Sequence, residues 1–342
     1  MGQKARKKLG KRLLALFAGL LLSGAAAELA ARMVLGQPIP ERYPQVRYVP
    51  HPDRGFALVP GDRSFTYDRE VRVNSHGLRG PEIPPKTDDE LRVFLLGDSL
   101  TFGHGVAEDQ TISAHLEAEL ESRAPLAEGR HYRIINGGHQ GFATRQEIDM
   151  LKELGEELQP DLVLLLWLWN DIQEKVVDRP PKGSPPPPPI TEPQPAPFSF
   201  VVRQWARKSA LLLWLNDFDP DGILPQPEAI DRAMPKIDKQ LGRFTKELKR
   251  LDTPGALVIL PDANALVVPN IALDIDAEVI RLAKAREIPV IQTNDAVREC
   301  IEDGKRMPVL AFDGHYDGSG NAAIARGIAD GLLGQGLLPG DD

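Results

Sequence analysis

Seven apolar residues stand in an unbroken row at Leu162-Val-Leu-Leu-Leu-Trp-Leu168. A strand with one wet face alternates apolar and polar side chains, so an uninterrupted run predicts a strand buried on both faces. Such strands belong to mostly parallel sheets covered by helices on either side. From Leu91 onward the chain keeps the matching rhythm. Strand-like runs fall at Arg92–Leu96, Tyr132–Ile135, Asp161–Leu168, Ala256–Leu260 and Pro289–Gln292. Helical periodicity fills the intervals at about 109–123, 144–158, 235–251 and 275–286, with a last helix at about 320–334. The order implies an α/β domain over about residues 91–335.

Ahead of this domain the chain divides into two parts. The first twelve residues carry Lys4, Arg6, Lys7, Lys8, Lys11 and Arg12 and no acid, and an uncharged apolar run, Leu13 to Ala27, follows. A cationic start before an apolar run predicts a membrane-targeting segment over residues 1–36, its basic end kept in the cytoplasm and the body outside. Helix-forming residues continue through Val34, which favours an uncleaved transmembrane anchor. Ala25-Ala26-Ala27 is the alternative, as a signal-peptidase site that would release the body. Residues 37–90 are rich in Pro, Gly, Arg and Asp. The alternating stretches Ser64–Tyr67 and Glu70–Val73 and the turn Asn74-Ser-His-Gly-Leu-Arg-Gly80 predict a small β-rich region.

One stretch breaks the α/β rhythm. Ten prolines lie between Asp178 and Pro197, five of them consecutive at Pro185–Pro189, which predicts an extended excursion rather than a helix or sheet member. The apolar patches Phe198–Trp205 and Leu211–Trp214 come next. The insertion, about 178–215, is expected to be a surface addition with its own helix. A lid or membrane-facing element beside the site is the alternative.

Four blocks at strand ends, or just before the last helix, hold groups suited to catalysis; ligand sites in doubly wound sheets lie at the carboxyl ends of the strands. The first is Gly97-Asp98-Ser99-Leu-Thr-Phe-Gly103, where Gly97 permits a sharp turn and the Ser99 N–H can face an anion. The sequence is not GxSxG, because Thr101 occupies the last position, so the nucleophile elbow of α/β-hydrolases is not matched. The second is Asn136-Gly-Gly-His-Gln-Gly141, whose glycines allow close backbone approach. The third is Trp169-Asn170-Asp171, in which an Asn at the mouth of a buried strand must use its amide. The fourth is Asp313-Gly314-His315, where a carboxylate can fix an imidazole tautomer and leave the second ring nitrogen as a base.

Taken together, these blocks resemble the SGNH/GDSL hydrolase superfamily, in which a Ser after Gly-Asp, a Gly, an Asn before Asp and a late Asp/His pair follow in this order. The resemblance covers about residues 91–335. It implies a flavodoxin-like three-layer α/β/α sandwich around a five-stranded, mostly parallel sheet. It also implies a serine esterase with Ser99 as nucleophile, His315 as base and Asp313 as its orienter. The implied oxyanion hole is the Ser99 and Gly141 N–H groups with the Asn170 side chain. The segment Asn74–Gly80 is similar to the N-terminal region of membrane-anchored bacterial members. Two departures stand out: Leu168 and Trp169 replace the usual glycine near Asn170, and the last pair is spaced DxH rather than DxxH.

His104 and His139, in loops of the first two blocks, are candidates for lining the substrate cleft, with a structural place as the alternative, and the bulky Trp169 is a candidate to narrow or reshape the acyl site. The expected partner is an ester-bearing substrate: a small ester, a lipid or an acylated glycan. Acyl transfer to an envelope polysaccharide is the second reading, and a non-catalytic envelope scaffold the third. No cofactor and no metal are expected, since HExxH, P-loop and post-strand GxGxxG motifs are missing and Cys300 is the single cysteine. The net charge of −8, more acidic still once the basic start is set aside, argues against nucleic acid as a partner.

Overall fold

In the computed structural model, residues 3–172, 189–190, 194–217 and 227–339 are described. Most of the proline-rich stretch, including Pro185–Pro188, lies outside them, so the extended reading of that run does too. The described residues fall into two compact units. One contains Met1–Glu41, Pro195–Gly222 and Ala311–Gly314, and the other Arg42–Gln194, Ile223–Leu310 and His315–Asp342.

The first unit is helical: α1 (Gln3–Leu35), α5 (Phe198–Arg207) and α6 (Ala210–Asp217). Within α1, Lys8–Leu35 is long and apolar enough to cross a membrane, with a mean hydropathy of 2.0 over its most apolar window and none of that window buried. The helix starts ahead of the apolar run Leu13–Ala27, because the basic residues before that run are themselves good helix formers.

The second unit opens with two antiparallel hairpins, β1 (Tyr48–His51) with β2 (Gly55–Leu58), and β3 (Arg63–Thr66) with β4 (Arg69–Arg72). A five-stranded sheet follows, built from β5 (Glu90–Gly97), β6 (His131–Gly138), β7 (Leu162–Trp167), β8 (Gly255–Ile259) and β9 (Val290–Gln292). Every pairing in it is parallel, and the order is β6-β5-β7-β8-β9. That order is the flavodoxin-like doubly wound arrangement, which reverses direction beside its first strand.

Helices cover both faces. On one side Leu91, Val93 and Leu95 of β5 join α3 (Ile112–Arg123), α10 (Asn294–Gly304) and α11 (Gly318–Gln335). On the other, Phe94 and Leu96 join α4 (Thr144–Leu158), α7 (Pro227–Leu251) and α9 (Ile271–Lys284). Leu164 and Leu166 of β7 face one layer while Val163, Leu165 and Trp167 face the other, so the whole run is apolar. A three-layer α/β/α sandwich with a parallel five-stranded sheet is therefore the fold of this unit. Two short helices complete it, α2 (Ser99–Phe102) and α8 (Ala263–Val267), the latter too short to show a period in the sequence.

Helix α7 corrects one expected boundary. Pro235, a natural first residue of a helix, sits inside α7 instead. Its missing N–H leaves the carbonyl of residue 231 without a helical donor, and Asp231 is exposed to water. Met234 and Ile237 beside it are buried against the sheet, which holds the turn together.

Candidate active site

Ser99 stands at the first position of α2, immediately beyond the end of β5. Asp98 caps this helix, its Oδ1 accepting from the Leu100 N–H at 2.8 Å. Gly103 ends it in a left-handed conformation at φ 83°. The N–H groups of a first helical turn have no partner within the helix, so the Ser99 N–H lies where an anion is stabilised.

Two features hold this turn in place. Arg79, fully buried, donates from Nη1 to the Phe102 and Gly103 carbonyls at 3.0 and 2.5 Å and from Nη2 to the Val106 carbonyl at 2.8 Å. The turn Asn74–Gly80 thus clamps the loop that carries Ser99. Beneath α2 the backbone of Gly138 leaves no room: a Cβ there would stand 2.0 Å from the Phe102 nitrogen and 2.4 Å from the Thr101 carbonyl carbon. Gly138→Ala is expected to lower stability by about 3 kcal/mol, the upper range for overpacking a tight core, and to lower activity by displacing α2. Urea unfolding followed by circular dichroism checks the first effect.

His315 comes from the loop before α11. Its backbone carbonyl accepts from the Leu310 N–H at 2.8 Å, and the next residue, Tyr316, is buried with its hydroxyl donating to the Pro261 carbonyl at 2.6 Å. Asp317 caps α11 through the Ser319 and Gly320 N–H groups. These bonds deliver the His315 ring to the carboxyl edge of the sheet, where Nε2 lies 2.7 Å from Ser99 Oγ. Asp313 falls in the short stretch Ala311–Gly314 that groups with the first unit.

Gly141 and Asn170 follow the strands on either side of β5. Gly141 occupies the turn after β6 at φ 75°, a conformation that favours glycine, and this turn is tied to β5 by the His139 N–H donating to the Gly97 carbonyl at 2.9 Å. Asn170 lies in the 3₁₀ turn Trp169–Ile172 beyond β7, and its Nδ2 donates to Asp98 Oδ2 at 3.3 Å. Asp98 thus links the turn that carries Ser99 to Asn170. Behind it, fully buried Glu147 of α4 has a carboxyl raised well above the ordinary range by desolvation and then by the neighbouring charges of Asp171 and Asp98.

Of the three candidates for lining the cleft, His104 and Trp169 are half-buried, Trp169 packing against both core layers. His139 corrects the expectation. Its ring is fully buried, stacked on Phe142 at 3.8 Å and edged by Phe56 at 5.1 Å, so it is a core side chain. Desolvation lowers its pKa to about 3. Below pH 6.5 the unfolded chain takes up a proton that the folded chain refuses until about pH 3, so acid favours unfolding across that window. His139 is expected to remove about 1.4 kcal/mol of stability per pH unit there. His139→Phe should flatten that slope in urea titrations run at successive pH values.

The His104 ring lies 4.8 Å from the His315 ring, centroid to centroid. Gln140 holds it: the Tyr48 hydroxyl donates to Gln140 Oε1 at 2.5 Å, which turns Nε2 toward His104 Nδ1. With Nδ1 accepting, the His104 proton resides on Nε2. Arg79, Tyr48, Gln140 and Glu147 escape sequence reasoning, because each acts through partners far along the chain. Only the burial of an Arg and a Glu, invisible in one sequence, marks two of them.

The strand order defines an α/β protein of flavodoxin-like topology, with the hydrogen-bonded Ser99–His315 pair at the carboxyl edge of its first sheet strand. No family model and no curated protein matches the sequence. Among solved structures, the chain is similar to an alpha/beta hydrolase enzyme from the metagenome of Lake Arreo, Spain, at 17% identity and a TM-score of 0.43, over 73% of this chain and 97% of that one. It is also similar to an acetylxylan esterase from Geobacillus stearothermophilus, at 16% identity and 0.42, over 72% and 96%. A third is the psychrotrophic esterase EstA from Pseudoalteromonas sp., at 12% identity and 0.43, over 72% and 98%.

Proposed function

We propose that the protein is a serine esterase that hydrolyses a carboxylic ester through an acyl-serine intermediate. The observation that carries this reading is the 2.7 Å approach of Ser99 Oγ to His315 Nε2 between residues 216 positions apart. A serine hydroxyl is a weak nucleophile until a base is within reach of its proton, and this pair meets that requirement. In the proposed sequence Oγ attacks the ester carbonyl as His315 Nε2 takes the proton. The Ser99 and Gly141 N–H groups and the Asn170 amide stabilise the tetrahedral oxyanion. Collapse expels the alcohol, which recovers its proton from His315. Water, activated by the same ring, then releases the acid. Asp313 is assigned the orienting role from the motif.

We propose further that α1 anchors the protein in a membrane, with its basic end on the cytoplasmic side. Labelling with a fluorophosphonate, followed by peptide mass mapping, tests the enzymatic reading. Modification of Ser99 is expected, and labelling of another serine, or of none, would overturn it. A panel of p-nitrophenyl esters from acetyl to long acyl then defines the acyl group accepted.

A further inference from the structure

We propose that α5 and α6 form a second membrane contact, with α5 lying flat in the headgroup layer of the same lipid bilayer that α1 spans. The inference rests on the reading of α1 as an anchor. Its carrying observation is that α5 is turned inside out for a helix in water. Phe198, Val201, Val202 and Trp205, at i, i+3, i+4 and i+7, make one apolar face. All four are exposed: Phe198 by 83%, Val202 by 53% and Trp205 by 72%. The polar side chains are the ones engaged within the unit. Gln204 Nε2 donates to Glu41 Oε2 at 2.8 Å, Gln204 Oε1 accepts from the Glu41 N–H at 3.1 Å, and Arg207 pairs with Glu41 at 3.0 Å. A helix that spends its polar face on its own unit and presents its apolar face outward fits an apolar medium.

The position of the helix along α1 identifies that medium. The corner between α5 and α6 is fastened to Glu28, which accepts from the Ser209 hydroxyl at 2.6 Å and from the Ala210 and Leu211 N–H groups at 3.0 Å each. Arg32, one turn on, pairs with Glu28 at 2.6 Å and donates to the Lys208 carbonyl. Glu28 is the first charge after the uncharged run Leu13–Ala27. Fifteen helical residues rise about 22 Å, and with the basic residues before them reaching back to the opposite surface the run fills most of a hydrocarbon core of about 30 Å. Glu28, and the corner fastened to it, therefore stand at the far headgroup boundary. Trp205 and Trp214 are both exposed there, with the Lys208 ammonium 5.3 Å from the Trp205 ring, the pairing of aromatic and cation suited to an interface.

The test uses the full chain reconstituted into phosphatidylcholine vesicles, with and without bromine at the 6,7 positions of the acyl chain. Tryptophan emission is expected to fall on brominated lipid, and W205F/W214F should lose most of that quenching, because Trp167 is fully buried and Trp169 is half-buried against both core layers. Flotation of the same vesicles after alkaline washing reports the anchor separately. If the chain floats but wild type and W205F/W214F are quenched alike, or neither is quenched, the interfacial contact is overturned and the anchor stands. A protein partner or a second copy on this face would give that result. If the chain does not float, both fall.

Discussion

Ser99→Ala is expected to lower turnover of an activated short ester by about a million-fold, the loss seen when a nucleophile that acts as one unit with its base is removed. Residual rate would come only from donors and binding groups that remain. The loss should fall on kcat, since the hydroxyl enters the reaction and not the recognition of substrate. Folding should be untouched: Ser99 is half-buried at the first position of α2, and the helix cap is supplied by Asp98, not by Ser99 itself. Alanine is a good helix former at such a position. Steady-state kinetics with urea unfolding of the same preparation check both halves. Undiminished turnover would remove Ser99 from the mechanism, whatever its distance from His315.

Asn170→Ala is expected to lower kcat by roughly a hundred- to a thousand-fold with little change in KM, the range for losing one preorganised oxyanion donor. The rival role for Asn170 is purely structural, since its Nδ2 donates to Asp98 Oδ2 at 3.3 Å. The two roles separate on measurement. A structural amide, once removed, would lower the unfolding free energy and loosen the Asp98 cap while kcat fell little. A donor to the oxyanion would lower kcat in a protein of near-normal stability. Asn170→Asp sharpens the comparison, because it keeps the shape and exchanges a donor for a charged acceptor. Its kcat should fall at least as far as that of the alanine variant.

The five sheet strands were legible because the cause is local. Leu162–Leu168 is apolar at every position, and only a strand covered on both faces hides such a run. The helices α3, α4, α9 and α11 follow from their period in the same way, and α8 and the early start of α7 do not, being too short or interrupted by Pro235. The order of strands is not local. Nothing in the separate runs says that β6 and β7 flank β5, yet that order is what brings Gly141 and Asn170 to either side of Ser99.

The polar groups divide along the same line. Ser99, Gly141, Asn170, Asp313 and His315 could be picked out because their types, in that order, have few other uses together. His139 could not be separated from His104 by sequence, since both are histidines in glycine-rich loops. One is stacked in the core against Phe142, and the other stands beside the His315 ring. Likewise the amphipathic period of α5 is plain in Phe198–Arg207, but its direction is not, and a period read alone would bury Phe198 and Trp205.

The sequence by itself determined the sheet strands and most of the helices, the two-sided core and the chemical types available at the strand ends. Each of these depends on side chains near one another in the chain. The tertiary structure alone decided which of those groups meet. Arg79 clamps the Ser99 turn, Gly138 gives it room, Gln140 orients His104, and Glu41 takes the polar face of α5. Each pairing joins residues whose separation along the chain carries no signal, and only the closure of the fold gives it an energy.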